Sequence, residues 1–99
     1  MDIKQIKQEA IGHYDRMIAW AEKQDKKYTP TMTAMFTDIG ETYRAEDCSF
    51  CQNFTFCAVC PLSINSSCCG GNWIALLNTN NWEEWVVRAE IIKSIIKSV

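Results

Sequence analysis

The residues with the clearest chemistry are six cysteines, which all lie in one short central stretch of the 99-residue chain. Four of them form two Cys-x-x-Cys pairs, and two more stand side by side shortly afterwards. A tight turn aims both sulfurs of such a pair at one point, and tetrahedral Zn²⁺ takes four thiolate or imidazole ligands. The spacing therefore predicts one zinc ion. Its predicted ligands are Cys48, Cys51, Cys57 and Cys60, with Cys68 and Cys69 as alternates.

A structural role is favoured over a catalytic one for this zinc. A catalytic zinc keeps an open coordination position near a base, whereas this stretch offers at least four thiolates and no histidine. His13 is the only histidine and lies far from the cysteines, so we expect it at the surface or half-buried. A structural zinc would add about 10 kcal/mol of folding free energy, which matters for so short a chain.

Other uses of the cysteines stay open. Redox pairs sit at helix N-termini in βαβ units, but the sequence has no strand pattern that would build one. Disulfides form in oxidising compartments, but no apolar signal region is found at the N-terminus. We therefore expect a cytoplasmic protein, in which clustered cysteines bind metal.

The cysteine spacing also resembles an iron–sulfur site. The run Cys51-x5-Cys57-x2-Cys60-Pro61-Leu62, with Cys68 after it, resembles the cluster loop of endonuclease III-type DNA glycosylases. Here the first gap is one residue shorter and the last gap two residues longer than in that family. The helix-hairpin-helix and the catalytic lysine and aspartate of the family have no counterpart in this chain. The resemblance thus implies a [4Fe–4S] cluster as the alternative cofactor, and no glycosylase activity.

The elements that must position the cysteines are helices. Apolar residues recur at spacings of three and four over 2–27, ending in Tyr28, and again over about 31–43, including Phe36. The run 73–77 has no diagnostic period, and we expect a helical turn there. The pattern over 82–97 predicts a last helix, capped by Asn81 with Glu84. We expect a mainly α single domain, with a helical half (1–44), a cysteine-rich metal-binding loop between helices (45–72) and a C-terminal helical segment (73–99).

The last helix is apolar around more than half of its circumference. One stripe follows Trp82, Trp85 and Ile92, and a second, adjacent stripe follows Val87, Ile91 and Ile95. A small domain has little core against which to bury both stripes. The pattern therefore predicts a protein partner or a homodimer bound through this helix. The predicted contact residues are Trp82, Trp85, Ile91 and Ile95.

Several function classes are disfavoured by composition. The net charge is −2, and residues 45–75 contain no lysine or arginine, so phosphate contacts are few. A zinc knuckle that stacks Phe50, Phe54 and Phe56 on bases is the alternative for nucleic acid. No run approaches the roughly 20 apolar residues of a membrane span. With no catalytic constellation or phosphate-binding glycine loop in the sequence, we expect a protein that is not an enzyme.

Residues 43–97 resemble a loose group of small, cysteine-rich proteins of phages and mobile elements. The shared pattern is Cys-x-x-Cys, then Cys-x-x-Cys-Pro-Leu, a late cysteine, an aromatic residue and a closing helix. Here it is formed by the four paired cysteines with Pro61-Leu62, by Cys68-Cys69, by Trp73 and by the helix from Trp82. The resemblance implies a metal-stabilised helical fold and a viral origin, but no activity. We accordingly expect an accessory protein that acts in the host cytoplasm and inhibits a host factor, such as a defence component.

Overall fold

The computed structural model describes residues 2–43 and 71–98, and the described part is helical, as expected. Four helices occur in these two ranges. They are α1 (Ile3–Ala21), α2 (Met32–Ile39), α3 (Gly71–Leu77) and α4 (Trp82–Ser98). No strand is found in them, so the expected mainly α fold is confirmed.

The core of the described part is formed chiefly where α1 and α4 pack together. Trp20, near the end of α1, contacts Trp82 at the start of α4, and Asp15 pairs with Lys93 farther along α4. The two helices therefore run antiparallel. α2 packs on α1, and α3 packs on α4. The largest side chains with almost no exposed surface are Met17, Met35, Leu76, Trp85, Ile92 and Ile96.

The beginning of each long helix follows from its sequence. Asp2 and Gln5 form a reciprocal capping box, in which each side chain accepts from the other residue's backbone N–H. Asn81 Oδ1 accepts from Glu84 N at 2.8 Å, so the predicted cap of α4 is confirmed. These side chains satisfy amide groups that have no partner inside the helix.

The end of α1 differs from the prediction. The helix ends at Ala21 rather than at residue 27, and tight turns follow, in which Lys23 N donates to Trp20 O and Gln24 N to Ala21 O. Asp25 Oδ1 then accepts from Lys27 N at 3.0 Å. Such local side-chain bonds compete with the helix for backbone donors. Tyr28, expected to close the apolar row, is therefore outside the helix and is 67% exposed.

The second helix is also shorter than its apolar pattern. Thr31 Oγ1 accepts from Ala34 N, which makes Thr31 the N-cap. Gly40 ends the helix in the left-handed conformation (φ 69°), which glycine adopts without a steric penalty. With so short a helix, only one face meets α1. Met35 is buried there, but Phe36 is 58% exposed although it belongs to the same apolar row.

Candidate functional site

The six predicted metal ligands lie outside the described residues. Cys48, Cys51, Cys57 and Cys60, and the alternates Cys68 and Cys69, all fall between residues 44 and 70. The structure instead describes the two residues that flank this cysteine segment, namely Tyr43 before it and Trp73 shortly after it. Within residues 2–43 and 71–98, no three histidine, aspartate or glutamate side chains are grouped so that they could hold a metal ion.

The two flanks of the cysteine segment are joined to each other. The indole Nε1 of Trp73, in α3, donates a hydrogen bond to the backbone carbonyl of Tyr43 at 3.1 Å. Thirty residues of chain separate these two partners. The hydrogen bond therefore holds Tyr43, just before the cysteine segment, next to Trp73, shortly after it.

Tyr43 also fixes this junction to the core. Its side chain is only 5% exposed, and its ring meets the Trp85 ring edge-to-face with centroids 5.3 Å apart. Burial raises the pKa of the Tyr43 phenol above its usual value, so the ring stays neutral at physiological pH. Trp73 is partly buried against the same core. The junction is thus attached to α4 through an aromatic contact.

Aromatic rings continue from the junction along the start of α4. Trp85 meets Trp82 with centroids 5.6 Å apart, and Trp82 meets Trp20 of α1 at 5.0 Å. Both contacts are edge-to-face, the arrangement that the ring quadrupoles favour. The row Tyr43–Trp85–Trp82–Trp20 therefore connects the base of the cysteine segment to the interface of α1 and α4.

The four residues predicted to contact a partner have different environments. Trp82 and Trp85 are 3% and 0% exposed and belong to the core of this chain, so they are not available to a partner in this arrangement. Their stripe is buried against α1 because α1 supplies a broad apolar face. Ile95 is partly buried, and Ile91 is 38% exposed. Val87, on the same outer side, is 56% exposed.

The structure contains a partly buried ionic cluster that no pattern in the sequence indicates. Glu41 receives hydrogen bonds from Arg16 Nε and from one terminal guanidinium nitrogen, at 2.6 to 2.9 Å, and His13 Nδ1 lies 3.2 Å from the same carboxylate. Burial alone would raise the pKa of Glu41, but the bonds from Arg16 and His13 outweigh it and hold the pKa below its usual value. The bond to Glu41 likewise raises the pKa of Arg16.

This cluster has a structural function. It attaches Glu41, which follows Gly40 and lies two residues before Tyr43, to α1. His13, which belongs to this cluster, is 7% exposed. His13 is thus more buried than expected. The only sequence feature that relates to this cluster is the three-residue spacing of His13 and Arg16, which places both on one side of α1. Nothing in the local pattern near Glu41 indicates that it reaches them across 25 or more residues.

The comparisons with known proteins leave the family open. No protein-family model, curated protein or solved structure matches the chain. In the ranges that the structure describes, no helix combines the length and the apolar character that crossing a membrane requires.

Proposed function

We propose that the chain is a small, zinc-stabilised helical protein that binds another protein and catalyses no reaction. The observation that supports this proposal best is the hydrogen bond between Trp73 Nε1 and Tyr43 O. It places both flanks of a six-cysteine segment at one buried point of the scaffold. Because these two ends are already held together, the segment loses less conformational entropy when several of its thiolates bind one ion.

The proposed ligands are those that the spacing predicts. Two Cys-x-x-Cys pairs supply the four thiolates, and Cys68 and Cys69 are the alternates. The zinc ion would contribute folding free energy because the unfolded chain has no preformed site. It would act as a structural cross-link, and no reaction step passes through it.

The binding role rests on the outer side of α4. Val87 and Ile91 are exposed there although they are large apolar residues. Exposed apolar side chains on a rigid helix are typical of interaction surfaces. We extend the proposal to an accessory protein of a phage or mobile element that modulates a host factor in the host cytoplasm, on the strength of the cysteine pattern alone.

Metal analysis of protein purified without chelators and without oxygen tests the metal part. We expect one zinc per chain, lost in a Cys48→Ser/Cys51→Ser variant, whereas single Cys68→Ser and Cys69→Ser variants show which of that pair is spare. Iron with the brown colour of sulfide-to-iron charge transfer would instead support the [4Fe–4S] alternative suggested by the Cys51–Cys68 spacing. A metal-free chain that is two hydrogens lighter per cysteine pair would refute both.

A further inference from the structure

We draw no further inference here: the strongest candidate, the fully buried indole N–H of Trp85 where α4 meets Tyr43, carries nothing, because residues 2–43 and 71–98 supply no hydrogen-bond acceptor for it and so do not show what it binds.

Discussion

At the scale of single residues, the most heavily bonded side chain described outside the helices is Glu41. Its carboxylate is 18% exposed and is shared between Arg16, whose side chain is 61% exposed, and the buried His13. The exposure of Arg16 limits what its ion pair adds, since solvent screens such pairs. The bonds that Glu41 receives nevertheless lower its pKa, and this makes its contribution to stability dependent on pH.

Replacing Glu41 by Gln should destabilise the protein by about 1 kcal/mol at neutral pH. The substitution keeps the shape of the side chain but removes the charge that Arg16 and His13 bind. Urea unfolding of the two proteins under identical conditions measures the difference. Glu9→Gln, on the exposed side of α1, is the control and should change stability by no more than a few tenths of a kcal/mol.

The same pair of proteins gives the pH dependence. Because the folded-state pKa of Glu41 lies below its ordinary value of 4.5, its stabilising effect is complete above that value. The effect is lost as the pH falls through the lower, folded-state pKa. The stability difference between wild type and Glu41→Gln should therefore be constant near neutrality and shrink below about pH 4.5. A difference that grows on acidification would show that the pKa is not lowered.

At the scale of elements, local signals in the sequence predicted where helices begin better than where they end. Asp2 and Asn81 are capping residues whose partners lie three residues away, so the short-range pattern contains the whole interaction. The end of α1 depends on a competing turn at Asp25, which apolar periodicity does not register. Phe36 lies in the apolar row of α2, but only part of that row contacts α1, so Met35 is buried while Phe36 is exposed.

The candidate site was predictable only in its chemistry. The cysteine types and spacings are local and point to a metal, but the attachment of their segment depends on contacts between distant residues. Trp73 and Tyr43 meet across thirty positions, and Trp85 reaches Tyr43 from α4. No periodicity encodes such pairs. For the same reason the sequence predicts Trp82 and Trp85 as partner contacts although both are buried in this chain, since their burial depends on how broad the opposing face of α1 is.

The junction between Tyr43 and Trp73 should influence metal affinity. Trp73→Phe keeps an aromatic ring and removes the donor to Tyr43 O, so we expect zinc affinity to fall by about fivefold, the equivalent of one hydrogen bond of about 1 kcal/mol. Competition with a chromophoric chelator measures it. Trp20→Phe is the matched control, because it removes the indole bond to Asp38 on the other side of the core. It should lower stability and leave zinc affinity unchanged; equal effects of both variants would contradict this role of the junction.

At the scale of the whole molecule, most residues of the hydrophobic core in the described ranges belong to α1 or α4. Ile96, Ile92 and Trp85 of α4 are almost completely buried, and they meet residues such as Met17 in the same core cluster. The two helices are also joined by the Asp15–Lys93 ion pair along their length and by the contact of Trp20 with Trp82 at one end. Stability should therefore respond strongly to the inner side of α4 and weakly to exposed apolar positions.

Ile96→Ala should cost about 2 to 4 kcal/mol, because it removes buried methyl groups and leaves a cavity in a fully buried position. Ile3→Ala makes the same chemical change where the side chain is 46% exposed, and it should cost less than about 0.5 kcal/mol. Urea unfolding at low micromolar concentration, where association contributes little, compares the two. Similar losses in both variants would mean that α4 is not packed on α1 as described.

The junction of Tyr43 with Trp73 also has a consequence for how this protein can vary. A chain that leaves and re-enters a scaffold at one fixed point pays a closure entropy that rises by only about 0.6 kcal/mol for each doubling of its length. Insertions between residues 44 and 70 that leave the cysteine pairs intact should therefore add little to the cost of closing this segment. The length of chain around the cysteine pairs can then diverge between descendants, while the pairs themselves and the helices remain unchanged.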